Sequence, residues 1–166
     1  MDASVSIIIC TRNQADSLRR TLVSIGKAIV PPRWNVELLV VDNGSSDYTR
    51  EVVSAVRLSN VCLRYVNEPT TGLGYARNTG LRETSGEIIL FTDDDFRVPL
   101  DWIEGMCRPV LDGMGGDSEE RKQHPPRIWK YTACRSAGEP FRRTGASVIL
   151  HFSSAMLHHR PSKPEA

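Results

Sequence analysis

Three adjacent carboxylates, Asp93, Asp94 and Asp95, close the apolar stretch "EIILFTDDD". Unit charges about 4 Å apart repel by about 1 kcal/mol in water and about 4 kcal/mol near a protein surface. A chain that ends a buried run in this way needs something to offset the repulsion, or the side chains must splay into solvent. Carboxylate oxygens are hard ligands. One or two of them, completed by phosphate oxygens and water, hold Mg2+-like ions. The chemistry on offer is therefore the capture of a divalent cation together with a phosphate ester. The plainer alternative is a solvated acidic loop whose charge suits the N-terminus of a helix starting near Leu100.

Two further polar clusters sit in comparable places. "TRN" (Thr11, Arg12, Asn13) follows the apolar run "VSIIIC", and "DNGSSD" (Asp42 to Asp47) follows "ELLVV". Asn, Asp, Gly and Ser make turns anywhere, so either cluster alone is ordinary loop chemistry. Their shared position, each at the end of an apolar run, raises a common site above that reading.

The elements that must position these clusters are legible as periodicity. Val5–Cys10, Glu37–Val41, Val61–Val66 and Glu87–Thr92 have strand length and are rich in Val and Ile. The first, second and fourth are nearly continuous rather than alternating, as in strands covered on both faces. Between them lie helical patterns. Ala15–Ile29 spaces Leu18, Leu22, Ile25 and Ile29 along one face. Ser46–Val56 opens with capping residues, Gly74–Thr84 stops at Gly86, and Leu100–Leu111 follows the aspartates. Strands alternating with helices predict an α/β, mostly parallel sheet with right-handed crossovers. Ligands of such sheets bind beyond the carboxyl ends of the strands, where all three clusters fall.

A chain of 166 residues, 40% hydrophobic and 25% charged, fits one globular domain. Its net charge of +1 gives no reason to expect a nucleic-acid partner. The balance is uneven, with a net of −3 over residues 1–116 and +4 over 117–166. Cys10, Cys62, Cys107 and Cys134 form no C-x-x-C, which favours reduced thiols over a disulfide framework. No run approaches the roughly 18 apolar residues of a membrane span, and no export signal opens the chain. The expectation is a cytoplasmic protein without a transmembrane segment, either soluble or peripheral to a membrane.

"SVSIIICTRNQADSLRRTLVSI", "VELLVVDNGSSDYTREVV" and "NEPTTGLGYARNTGLRETSGEIILFTDDD", in this order, resemble the N-terminal, nucleotide-sugar-binding half of family 2 glycosyltransferases. The resemblance covers roughly residues 3–116. It implies a GT-A fold, a Rossmann-like mostly parallel sheet with helices on both faces. It also implies transfer of a sugar from a nucleotide-diphosphate donor, UDP by default, with Mn2+ or Mg2+. By resemblance, Thr11, Arg12 and Asn13 lie along the nucleotide, Asp42 contacts the base, and Arg77, with Asn78 beside it, sits near the nucleotide. Asp93 and Asp94 hold the donor, and Asp94 and Asp95 hold the metal. The acceptor is unknown, with a cell-envelope glycan or lipid as the expectation.

Other candidates are weaker. Gly72-Leu73-Gly74 lacks the last glycine of G-x-G-x-x-G, since Arg77 stands there, and reads as a turn. His158-His159 has no metal partners at zinc spacing. Trp34, Trp102 and Trp129 read as packing anchors. Beyond Gly116 the family pattern fades. Residues 117–166 are expected to be an atypical segment, truncated, partly disordered, divergent or shifted in frame, with one further strand or short helix at Ala146–Phe152. No "ED" pair supplies the general base an inverting transfer requires. Glu139 is the single acid singled out for test, and the alternative reading is a nucleotide-sugar-binding domain lacking that base.

Overall fold

The computed structural model describes residues 2–114 and 148–152, and for 113, 114 and 148–152 it describes the backbone alone. The elements run β1 (Ala3–Thr11), α1 (Ala15–Lys27), β2 (Trp34–Asp42), α2 (Thr49–Ala55), β3 (Cys62–Asn67), α3 (Leu73–Glu83), β4 (Ile88–Thr92), α4 (Trp102–Met114) and β5 (Val148–Phe152). They build a five-stranded sheet in the order β3-β2-β1-β4-β5. Every pairing in it is parallel. Within the stretch Ala146–Phe152, Val148–Phe152 forms a strand and joins the sheet beside β4.

The continuous apolar runs take the interior of the sheet because both of their faces are covered. Ile7, Ile9, Leu38, Val40, Ile88 and Leu90 point to one side, where they meet Leu18, Leu22 and Ile25 of α1, Val52 and Val53 of α2, and Ile103 and Cys107 of α4. Ile8, Leu39, Val41, Ile89 and Phe91 point to the other side, against Ala76 and Leu81 of α3. The approach of α3 to the sheet depends on Gly80, where an added Cβ would lie 2.7 Å from Ile8 Cγ2. β3, whose pattern is less continuous, is an edge strand with half-buried residues. Trp34 and Trp102 pack on the first core, in line with the packing reading, while Trp129 lies outside the described residues.

One expectation about α1 is corrected. Ile29 is not on its buried face: the helix stops at Lys27, and Ala28 turns to extended backbone. Pro31 and Pro32 follow, and a residue before proline is driven out of the helical region. Ile29 is instead 59% exposed, and its N–H donates to the Leu100 carbonyl at 2.7 Å.

Candidate functional site

β1, β2 and β3 extend the sheet toward one edge, and β4 then starts on the other side of β1. The order of strands reverses between β1 and β4, and such a switch point opens a crevice at the carboxyl ends. Register sets what faces what there. Thr11 is opposite Asp42, and Ile9 is opposite Thr92, so Asp94, two residues past Thr92, comes level with Thr11.

The Thr11 hydroxyl donates to Asp94 Oδ2 at 2.6 Å. From α1, the Thr21 hydroxyl donates to the Asp94 backbone carbonyl at 2.7 Å. Asp94 is thereby held at main chain and side chain, with Asp93 half-buried and Asp95 exposed beside it. Burial raises the Asp94 carboxyl above the usual carboxylate range. The Thr11 hydrogen bond pulls it down, and the charges of Asp95 and Asp93 push it up. Among the described residues, no ion pair reaches the trio. The trio does not cap α4 either. That helix starts on Pro99 and Asp101, whose carbonyls accept from the N–H groups of Trp102 and Gly105.

Asp42 is 3% exposed, yet both its oxygens are engaged. Oδ1 accepts the Ser45 N–H at 2.9 Å and Oδ2 accepts the Tyr65 hydroxyl at 2.8 Å. Burial, together with that bond to Asp42, pushes the Tyr65 phenol up to about 12. The Arg50 guanidinium lies 5.9 Å from the centre of the Tyr65 ring.

Asn43 fastens three strand ends together. Its N–H donates to Thr11 O at 2.9 Å. Its Nδ2 donates to Glu68 O and Thr70 O at 3.2 and 2.7 Å. Its Oδ1 accepts the Gly72 N–H at 2.7 Å. Gly72 has φ 139°, a conformation that glycine alone adopts easily, and it leads directly into α3. Of the Gly-Leu-Gly segment expected as a turn, only Gly72 lies outside a helix, anchored to the end of β2, while Leu73 and Gly74 already form the first turn of α3.

The loop after β1 is tied to the loop after β2. Asn13 sits at φ 54°, which asparagine tolerates better than most residues. Its N–H donates to Ser45 Oγ at 2.9 Å, and its Oδ1 accepts the Ser46 N–H at 2.7 Å. Asp47 accepts the Ala15 N–H at 3.0 Å and the Thr49 N–H at 3.1 Å, so one carboxylate serves the first turns of α1 and α2. Burial works against its charge, but hydrogen bonds from Thr49 and Ala15 outweigh it and hold the carboxyl below the usual range.

Arg77, half-buried on α3, is brought to the same corner. Its charge, with those of Asp94 and Asp93, acts on the Cys10 thiol at the end of β1, which burial pushes up to about 12. Arg12 and Asn13 are exposed at the rim. Of the residues predicted from sequence, Thr11, Asn13, Asp42, Arg77, Asp93, Asp94 and Asp95 belong to strand ends, loops or the first half of α3 that meet at this corner. Glu139, His158 and His159 lie outside the described residues.

Tyr65 and Glu68, which sequence reasoning passed over, also build the corner, as do Asn43 and Asp47, which it grouped in the "DNGSSD" cluster without roles of their own. Glu68 follows the end of β3, accepts the Thr79 hydroxyl at 2.6 Å and the Thr70 N–H at 2.7 Å, and is 8% exposed. The available signal was position, since Asn43 and Glu68 directly follow strand ends. A Tyr inside a strand carries no such mark.

Among the described residues no three His, Cys, Asp or Glu side chains form a closed metal cage. The open, hard-oxygen trio fits a cation whose remaining ligands are phosphate and water. Two clefts of about 450 Å³ lie elsewhere, one between α2 and β3 and one along α1.

A Rossmann-like parallel sheet with carboxylates gathered at its switch point defines an α/β domain of the GT-A class. A model of Glycosyl transferase family 2 matches residues 6–160, and the chain belongs to that family. It is 35% identical over 120 residues to Glycosyltransferase AglE of Haloferax volcanii, covering 69% of this chain and 39% of that protein. The crystal structure of S. aureus TarS superposes with a TM-score of 0.59 at 27% identity, over 69% of this chain and 20% of that one. TarS 1–349 in complex with UDP-GlcNAc gives 0.60 at 24% identity, over 80% and 39%. Glucosyl-3-phosphoglycerate synthase from Mycobacterium tuberculosis, in complex with Mn2+, UDP and glucosyl-3-phosphoglycerate, gives 0.54 at 24%, over 66% and 40%. The chain spans well under half the length of the curated relatives it matches.

Proposed function

We propose that this chain forms the donor-binding half of a glycosyltransferase, taking a nucleotide-diphosphate sugar and a divalent cation at the carboxyl ends of β1, β2 and β4. One observation carries the reading: the Thr11 hydroxyl bonds the Asp94 carboxylate across the switch point, with Asp42 in register beside Thr11. Family membership supports the donor class. The UDP-sugar in the TarS complex makes UDP the first nucleotide to test.

In this reading Asp42 meets the base, and the loop Thr11–Asn13 runs along the nucleotide. Asp93 takes the ribose, Asp94 and Asp95 hold Mn2+ or Mg2+, and Arg77 faces the diphosphate. The hydroxyl of Thr11 serves Asp94 rather than the nucleotide. A bound cation supplies Lewis-acid stabilisation of the departing diphosphate. The protein holds the donor with the sugar carbon open to attack. An acceptor oxygen bonds that carbon as its bond to the diphosphate breaks, and the acceptor proton passes to a base. Glu139 is the residue to test for that role. The acceptor class we favour is a cell-envelope glycan or lipid, reached on the cytoplasmic side of a membrane. Among the described residues no helix is long and apolar enough to cross one.

The second reading is a nucleotide-sugar-binding domain without its own base, favoured by the lack of an "ED" pair in residues 117–166. A thermal-shift screen of UDP-, GDP- and dTDP-sugars with and without Mn2+ tests the shared claim. A donor-specific shift that needs Mn2+ supports it, and no shift with any donor overturns it. Donor hydrolysis or transfer to added acceptors then separates enzyme from binding domain.

A further inference from the structure

We propose that the groove between α1 and the segment leading into α4 is a docking surface for an anionic phospholipid bilayer. The groove measures about 450 Å³. Arg19, Arg20 and Lys27 of α1 and Arg97 line it, together with Val23 and Leu100. No acidic side chain lines it, and none of these four cations is in an ion pair among the described residues.

The same ridge gathers three of the six most exposed large apolar side chains among the described residues. They are Val23 at 47%, Leu100 at 57% and Ile29 at 59%. The Ile29 N–H to Leu100 carbonyl bond makes the last two neighbours. Exposed aliphatic side chains scattered singly need no explanation. Here they are grouped and rimmed by cations, the composition of a face that lies in a membrane interface. Aliphatic tips enter the boundary of the acyl chains while Arg and Lys stay at the level of the phosphates.

Charge complementarity identifies the occupant. The chain carries a net charge of only +1, so four clustered cations without a lining acid are a local feature and not the overflow of a basic protein. A soluble polyanion would satisfy the cations but leave Val23, Ile29 and Leu100 in water, whereas an anionic bilayer meets both. The groove also adjoins the acidic trio. Ser24 Oγ accepts the Val98 N–H at 3.2 Å, and Thr21 holds the Asp94 carbonyl. Docking on α1 therefore fixes how the Asp94 corner stands relative to the bilayer. The inference needs no assumption about the donor.

Cosedimentation of the 166-residue chain with phosphatidylcholine vesicles, alone and mixed with phosphatidylglycerol, tests it. Binding to the mixed vesicles should exceed binding to the neutral ones, and raising salt from about 0.1 M to about 1 M should weaken it. Arg20→Ala and Arg97→Ala should each lower binding about fivefold, and together about 25-fold. Leu100→Ser should lower it about tenfold, while Arg57→Ala, on another face, should leave it unchanged. Thermal midpoints of the variants confirm that each is folded. Equal binding to neutral and anionic vesicles, or unchanged binding by the double variant, overturns the proposal. So does retention on heparin with no vesicle binding, which would assign the groove to a soluble polyanion.

Discussion

Thr11 and Asp94 are 83 positions apart in the chain, yet a 2.6 Å bond from hydroxyl to carboxylate joins them. The contact spans the point where the strand order reverses. It aims the middle carboxylate of the trio and favours its charged form against burial and against Asp93 and Asp95. Thr11→Val keeps the shape and removes the donor. We expect the Asp94 carboxyl to rise further and the affinity for Mn2+ in the presence of UDP to fall about 10- to 100-fold. Thr11→Ser should retain most of it. Calorimetric titration of Mn2+ checks both, and equal affinity in Thr11→Val would show that the bond is incidental.

Asn43 joins the ends of β1 and β2 to the start of α3, and it is 5% exposed. Asn43→Ala strands the Gly72 N–H and two carbonyls. A loss of about 2–3 kcal/mol is expected, seen as a drop of roughly 5–10 °C in the melting midpoint. A drop of under a degree would mean that water replaces the side chain at no cost.

Glu68 shows a pH dependence of definite sign. The Thr79 hydroxyl bond, opposed by burial and helped by Thr70, holds its carboxyl below the usual glutamate range. A depressed acid contributes stability above its unfolded value and loses it as pH falls through the folded one. Glu68→Gln should therefore cost about 1 kcal/mol at neutral pH. The difference from the parent should vanish in acid, below the ordinary glutamate range. Denaturation curves at several pH values check this, and a pH-independent difference would contradict it.

Thr92 ends β4 with a buried hydroxyl that finds no partner among the described residues. An unpaired buried hydroxyl is costly, and valine has the same shape. Thr92→Val should raise stability by about 1 kcal/mol. A lower melting midpoint would reveal a partner for the hydroxyl.

The sheet was legible because burial on two faces writes itself as unbroken runs such as Ile7-Ile8-Ile9. The trio was legible because charge at a strand end is conspicuous. The brace from Thr11 to Asp94 was not, since it depends on β1 lying beside β4, and no local pattern encodes which strands become neighbours. Tyr65 escaped for the same reason. Its bond to Asp42 crosses between paired strands, and on its own strand it reads as core. The extent of α1 was misjudged because Ile29 continues the helical spacing, while the prolines at 31 and 32 decide where the helix must stop.

The central claim is that the carboxylates at the end of β4 hold a divalent ion against a nucleotide diphosphate. Calorimetric titration of UDP into the protein, with and without Mn2+, compares the parent with Asp94→Asn and Asp95→Ala most directly. The account predicts binding that requires Mn2+ in the parent and falls at least about tenfold in each variant. Metal-dependent UDP binding of parental strength in both variants would contradict it.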